Sequence, residues 1–230
     1  MRHYPPPLKC LTPILLTAIF ASVISLCFCT SPSAPPSTLT DEGEIATTEP
    51  SPYSPAPALA SLDFVSNGNG TCTVIGIGTH TDQTLIIPTF SPGGDLVTAI
   101  APRAFYGNAS LVAIHIPASV THVGDLAFAA SESLSFLSVS ADNPSYTSLD
   151  GVLYSKDLSS LLLYPPCLGG SVLHIPISVT SIAPMALYRS DYLSSVLYDG
   201  SPADWESVSV GSKNYSLSAL PVRCGMDDNS

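Results

Sequence analysis

An internal repeat constrains this chain more than any other feature. The stretch from Ile114 to Leu134, IHIPASVTHVGDLAFAASESL, recurs from Leu173 to Leu193 as LHIPISVTSIAPMALYRSDYL, at an offset of 59 residues. A looser copy precedes both, and its Phe105 stands 23 residues before Phe128. A period in this range indicates a solenoid, in which each unit buries its apolar face only against its neighbours.

Within one unit, the pattern L-x-x-I-x-I-P is typical of a short strand. It places Leu111, Ile114 and Ile116 inward, because alternate residues of a strand point to opposite sides. Proline then ends the strand, and a second short extended piece follows. The pair Ala127 and Phe128 begins a single turn, whose aromatic ring we expect to fill the end of the coil as part of the core.

The unit resembles that of the BspA-type bacterial surface leucine-rich-repeat family, L-x-x-I-x-I-P-x-S-V-T-x-I-G-x-x-A-F-x-x-C-x-x-L. Residues 62–88 are similar to the family's N-terminal cap, residues 143–165 to a hairpin insertion and residues 198–217 to its C-terminal cap. The resemblance implies a β-rich leucine-rich-repeat solenoid with short helical turns, a short array with caps and a hairpin insertion. It further implies a surface-displayed binding module that is not an enzyme.

The chain departs from the family pattern in two ways. Asn108, Ser131 and Ser190 replace the cysteine expected near the end of each unit, so the family's internal cysteine ladder is absent. The array also has only three clear units.

Composition divides the chain into four regions. Residues 1–29 predict an export segment, because Arg2 and Lys9 precede an apolar run. This segment is a cleaved signal, a lipoprotein signal or a retained anchor. Residues 30–61 are rich in Pro, Ser and Thr and predict a disordered linker. Residues 62–224 form the repeat domain, and residues 225–230 form a tail. We therefore expect a secreted or cell-envelope protein.

Charge narrows the classes of partner. Only 11% of the residues are charged and the net charge is -11, so the body repels nucleic-acid phosphates and anionic lipid headgroups. Partners are therefore expected to be extracellular proteins, of the host matrix or of other cell surfaces, or further copies of the chain. Contact with a membrane is expected only through the N-terminal segment.

The sequence offers no local signature of catalysis and no cofactor site. His115 and His174 occupy equivalent outward positions but lack a third ligand for zinc, so we predict no metal site. Asp142, Asn143 and Asp150 have the wrong spacing for a calcium loop. Among the cysteines after the export segment, Cys167 could pair with Cys224, whereas Cys72 is expected to be a buried thiol.

Strand alternation also predicts a working face. If Leu85, Ile114, Leu137, Leu173 and Val196 point inward, their neighbours form an outer surface that is more apolar than solvation requires. The predicted protein-binding face comprises Ile86, Ala113, His115, Phe136, Ser138, Val172, His174 and Leu197. We expect it to bind other proteins in adhesion. The alternative is a structural subunit that assembles with itself through the same face, and a third reading is that the linker or insertion covers it.

Overall fold

The structure is a computed structural model that describes residues 62–225. The predicted export segment and linker lie outside the described residues, as does all but the first residue of the predicted tail.

The described chain consists of short strands with two short helices near its end. The strands are β1 (Asp63–Ser66), β2 (Thr71–Gly76), β3 (Thr84–Ile86), β4 (Leu96–Ile100), β5 (Ala113–Ile116), β6 (His122–Val123), β7 (Phe136–Val139), β8 (Tyr146–Leu149), β9 (Val152–Ser155), β10 (Ser160–Leu163), β11 (Val172–Ile175), β12 (Ser181–Ile182), β13 (Ser195–Tyr198), β14 (Ser209–Val210) and β15 (Val222–Cys224). The helices are α1 (Pro202–Glu206) and α2 (Tyr215–Ala219).

Each repeat makes one coil of a solenoid with three sides. In coil 2, β5 forms the first side, β6 forms the second, and the turn at residues 125–130 forms the third. Equivalent turns occupy residues 102–107 in coil 1 and 184–189 in coil 4. Coil 3 runs from β7 to β10, and coil 5 contains β13 and β14. Corresponding strands of successive coils pair in parallel, as in β3-β5-β7 and β11-β13-β15. The predicted leucine-rich-repeat solenoid is confirmed.

The alternation predicted for the first-side strands is confirmed by burial. All five residues expected to point inward are buried: Leu85, Ile114, Leu137, Leu173 and Val196. Phe128 is also buried, and its ring stacks on that of Phe105 with centroids 5.5 Å apart and planes within 1° of parallel. The turn aromatics are therefore core residues, and the register inferred from the repeat is correct.

The insertion is a three-stranded antiparallel meander, β8-β9-β10, rather than a simple hairpin. Asp150 and Gly151 join β8 to β9, and both have positive φ, at 50° and 83°. This conformation suits a two-residue hairpin turn, for which Asp-Gly is a preferred sequence. Strand β10 then pairs in parallel with β12, so the insertion returns the chain to the second side of the solenoid.

The insertion also divides the core and the first-side sheet. On β9, Leu153 belongs to the core of coils 1 and 2, whereas Val152 and Tyr154 belong to the core of coils 4 and 5. On this side, β7 and β11 lie in separate three-stranded sheets. The reason is that β8 and β9 pack beside β7, and the Tyr154 hydroxyl donates to the carbonyl of His174 on β11.

Two buried asparagines replace missing backbone partners. Nδ2 of Asn143 donates to the carbonyls of Pro117 and Val120, both at 2.8 Å, and its Oδ1 accepts from two further backbone amides. Asn143 is therefore a structural residue at the start of the insertion. Asn214 has a comparable role in the C-terminal cap, where its Nδ2 donates to Ala183 and Gly211 and its Oδ1 accepts from Leu187.

The cysteines do not form the pair that the sequence allowed. Cys72 is buried and has no disulfide, and Cys224 is not joined to Cys167. Cys224 lies on β15, two strands away from β11, whereas Cys167 lies on the chain leading into β11. Cys167 instead contacts the end of coil 2, where its backbone amide donates to the carbonyl of Leu134.

Candidate protein-binding face

The predicted face falls into two patches because the first-side sheet is divided. The first sheet carries Ile86, Ala113, His115, Phe136 and Ser138. The second sheet carries Val172, His174 and Leu197. Within each sheet the residues are register neighbours, since Ile86 pairs with His115, His115 with Ser138, and His174 with Leu197.

Exposure differs strongly among these residues. Ile86 and Val172 are the most open apolar members, at 56% and 43% of their full exposure. His174 is exposed, and His115, Phe136, Ser138 and Leu197 are half-buried. Ala113 is fully buried, which corrects the expectation that it is open. Its methyl group lies between its register neighbours Thr84 and Phe136, whose larger side chains flank it on the same face.

His115 and Ser138 form a polar pair within the first patch. The His115 Nδ1 and Ser138 Oγ atoms are 2.9 Å apart, and Ser138 Oγ also lies 3.4 Å from the carbonyl of Ile114, to which it can donate. Burial lowers the pKa of His115, which favours the neutral imidazole. Strands β3, β5 and β7 contain no Asp or Glu residue, and the pair can offer hydrogen bonds at the face.

The tip of the insertion covers part of the first patch. A Cβ atom placed on Gly151 would lie 3.3 Å from Cδ2 of Phe136 and 2.6 Å from Cδ1 of Leu168. The Phe136 ring is therefore packed beside the Asp150–Gly151 turn, which explains its half-burial. The reading in which the insertion hides the face thus holds for Phe136, and it does not hold for Ile86.

Between the insertion and the edge of β11 lies a groove of about 180 Å³. It is lined by Leu149, Asp150, Val152, Tyr164, Leu168, Gly169, Val172, Leu173 and His174. The groove adds Leu149, Asp150 and Leu168 to the residues beside the predicted face. Sequence reasoning missed them because their nearness to β11 depends on how the meander packs; only the Asp-Gly turn signal marked this segment.

The outward face carries little negative charge in an acidic protein. None of the first-side strands β3, β5, β7, β11, β13 and β15 contains an Asp or Glu residue. Arg223 on β15 is the register neighbour of Leu197 and adds a cation to the second patch. The face is therefore neutral to weakly basic and partly apolar.

Metal and membrane features give no further site within the described range. No three His, Cys, Asp or Glu side chains between residues 62 and 225 are grouped to hold a metal ion. His115 and His174 lie on different sheets. No helix in this part of the chain has the length and apolar character needed to cross a membrane.

Comparisons with known proteins return solved structures only. No protein-family model matches the sequence, and no curated protein matches it. A leucine-rich cell surface protein from Faecalibacterium prausnitzii A2-165 is 33% identical, with a TM-score of 0.46, over 61% of this chain and 40% of that chain. A leucine-rich repeat protein from Eubacterium ventriosum is 20% identical, with a TM-score of 0.43, over 56% of this chain and 46% of that chain.

A third solved structure, the pneumococcal vaccine antigen PcpA, is 15% identical, with a TM-score of 0.32, over 66% of this chain and 64% of that chain. This chain therefore spans less than half the length of the first two proteins that it resembles. Of these similar structures, the first is named a leucine-rich cell surface protein and the second a leucine-rich repeat protein.

Proposed function

We propose that this chain is an exported protein-interaction module that binds partner proteins through the outer faces of its two first-side sheets. One observation carries the proposal: these faces lack carboxylates and expose Ile86 and Val172, although the chain has a net charge of -11. An exposed apolar area that lacks charged residues usually marks a contact site. The His115–Ser138 pair and Arg223 add polar groups that can orient a partner.

The proposed setting is the cell envelope or the extracellular space. The export segment at residues 1–29 would bring the domain across the membrane, and the linker at residues 30–61 would hold it away from the surface. The proposed partners are extracellular proteins, of the host matrix or of other cell surfaces, and the proposed role is adhesion.

Two single substitutions test the face. Ile86→Glu and Val172→Glu each place a charge at an exposed position of one patch, so they should weaken binding without unfolding the domain. Ile75→Glu is the matched control, because Ile75 is 46% exposed but lies on β2, in a different sheet. Phe136 is unsuitable for this test because its ring packs against the insertion.

Binding is measured by surface plasmon resonance against purified extracellular-matrix proteins, and light scattering gives the oligomeric state. We expect a roughly tenfold or greater loss of affinity for the two face variants and none for Ile75→Glu. If all three variants bind equally, the face is not the contact surface. A wild-type oligomer that Ile86→Glu or Val172→Glu dissociates would instead establish the self-assembling subunit.

A further inference from the structure

The third side of the solenoid is held together by a ladder of backbone hydrogen bonds between successive turns. In coil 1 the amides of Arg103, Phe105 and Gly107 donate to coil 2. The acceptors are the carbonyls of Asp125, Ala127 and Ala129, at 3.1, 2.8 and 3.0 Å. One turn thus presents three donors, two residues apart, that hold three peptide carbonyls of the next segment.

The turn of coil 2 presents the same three donors, but they meet no acceptor within residues 62–225. Its equivalent amides belong to Leu126, Phe128 and Ala130, each 23 residues after its counterpart in coil 1. Leu126 and Ala130 share the left-handed backbone of Arg103, with φ of 58°, 59° and 60°. None of the three amides bonds to another protein atom within residues 62–225. These amides are therefore positioned to donate to the backbone carbonyls of a further turn, which the described chain does not provide.

Coil 3 lacks this rung because its chain takes a shorter path. After β10 the chain passes directly to Tyr164, whose amide donates to the carbonyl of Ala186 in coil 4. No turn like those at 102–107 and 125–130 forms here. The consecutive prolines Pro165 and Pro166 that follow have no amide hydrogen to contribute.

The residue that follows the second-side strand differs between coils. Gly124 and Gly211 occupy equivalent positions in their coils, and a Cβ on either would lie 2.3 or 2.4 Å from the proline nitrogen of the preceding turn. Only glycine permits that close approach. Coil 3 has Leu162 at the same position, just after the β10 residue that pairs with Ile182. Leu162 thus places a larger side chain at this position, where it lines the gap between coils 2 and 3.

The resulting notch has a volume of about 260 Å³. Its lining is mainly apolar: Val123, Gly124, Asp125, Leu126, Ala127, Phe128, Ala129, Leu153, Leu162, Leu163, Ala183, Pro184 and Met185. The far wall offers an acceptor, the carbonyl of Pro184, which receives no hydrogen bond from the described chain. Asp125, at the equivalent position in coil 2, accepts from the coil before it, so the Pro184 carbonyl is oriented toward the notch.

We propose that this notch binds a short peptide segment of a partner protein, whose backbone carbonyls accept hydrogen bonds from the three coil 2 amides. The ligand would present carbonyls at alternate residues to Leu126, Phe128 and Ala130, and would donate an amide to Pro184. The mainly apolar lining selects apolar side chains, and Asp125 at the rim favours a neutral or basic segment. The backbone hydrogen bonds between coils 1 and 2 show the same arrangement within the molecule. This site lies on the third side of the coil and is independent of the sheet faces.

Amide exchange measured by NMR on the full chain tests the proposal directly. Without ligand, the amides of Leu126, Phe128 and Ala130 should exchange much faster than those of Arg103, Phe105 and Gly107, which serve as internal controls. Addition of the blocked peptide Ala-Pro-Met-Ala-Leu-Tyr-Arg, the sequence of residues 183–189, should slow the three coil 2 amides by roughly tenfold or more at saturation. A peptide of reversed sequence should not.

Two variants link that protection to the notch. Asp125→Trp should block the rim, and Leu162→Trp should fill the notch that Leu162 lines, so each should weaken peptide binding by roughly tenfold or more in fluorescence anisotropy. Pro102→Trp, at the equivalent exposed position of coil 1, should bind as the wild type does.

Three results would overturn the proposal. The peptide could leave the exchange of the coil 2 amides unchanged, or it could bind both notch variants as tightly as it binds the wild type. The amides could also be protected in the chain alone. Protection that grows with protein concentration would identify a second copy as the occupant, and protection at every concentration would identify a segment of the same chain.

Discussion

The two closely similar copies of the repeat, 59 residues apart, show how similar units can be terminated differently. In coil 4, the amide of Leu187 meets Oδ1 of the buried Asn214 at 2.9 Å, and Met185 donates to the carbonyl of Ser212. In coil 2, the equivalent amides of Phe128 and Leu126 meet no acceptor within the described chain. A solenoid has to close the open end of each backbone ladder, and here one asparagine closes one end while the other opens onto a notch.

The same comparison extends to the cores. Coils 1 and 2 are joined by the stacked rings of Phe105 and Phe128, whereas coil 4 carries Leu187 at the equivalent place. In the C-terminal core, the cap provides aromatic packing, because the ring centroids of Trp205 and Tyr198 are 5.3 Å apart. Stability in the first half should therefore depend on the repeat itself, and in the second half on the residues that end it.

The largest expected effect is that of Phe128→Ala. Removing a buried ring from a stacked pair leaves a cavity, and we expect a loss of roughly 3–5 kcal/mol in the free energy of unfolding. Tyr106→Ala is the control, since Tyr106 is exposed in the same kind of turn. Urea denaturation measures both. A loss for Phe128→Ala as small as that of the control would mean that the stacked pair does not hold coils 1 and 2 together.

Asn214→Ala should leave a backbone amide of coil 4 without a partner, as those of coil 2 are within the described chain. It leaves the amide of Leu187 and the carbonyls of Ala183 and Gly211 without their partner, which should cost about 3 kcal/mol. Asn108→Ala, which removes an acceptor from a less buried turn, should cost about 1 kcal/mol.

Amide hydrogen exchange tests the role of Asn214 more directly than the free energy of unfolding does. In the variant, the Leu187 amide should exchange as fast as that of Phe128 while the rest of coil 4 stays protected. Unchanged protection at Leu187 would show that Asn214 does not close this ladder.

Gly151→Ala tests the insertion that separates the two halves. Gly151 has a φ of +83°, and an added Cβ would lie 2.6 Å from Cδ1 of Leu168, so both the backbone and Leu168 must adjust. We expect a loss of about 2 kcal/mol in the free energy of unfolding. Gly170→Ala is a matched control, because it shares a positive φ of +89° but meets nothing within 4 Å, and it should cost about 1 kcal/mol. Equal losses in thermal melts would mean that the turn does not press on Leu168.

The sequence predicted what depends on local alternation and repetition. The inward positions Leu85 and Leu173 and the core ring of Phe128 followed from strand period and from alignment of the repeats. The division into two sheets did not follow, because it depends on β9 placing Leu153 and Tyr154 in different cores. That arrangement is a property of how the meander packs, and no local pattern encodes it.

The site was predictable to a similar extent. Alternation identified Ile86 and Val172 as exposed, but it could not show that Phe136 would be covered by the turn at Gly151. Nor could it show the unpaired amides of coil 2, although one signal was present: Leu162 stands where the other coils have the small residues Ala101, Gly124, Ala183 and Gly211. That departure gains meaning only once the close approach of neighbouring coils is known.

The smallest expected effect concerns His115, the polar residue at the centre of the first patch. Burial lowers its pKa in the folded protein below the ordinary value of 6.5, so the unfolded chain binds the proton more readily. The contribution of the neutral imidazole to stability is therefore complete above about pH 6.5, and it is lost as the pH falls from there through the lower folded-state pKa. His174 occupies the corresponding position of the second patch but is exposed. We expect the melting temperature to fall more between about pH 8 and about pH 5 in the wild type than in His115→Gln. His174→Gln should leave the wild-type difference unchanged. Parallel pH profiles for the wild type and His115→Gln would show that burial of His115 does not couple protonation to folding.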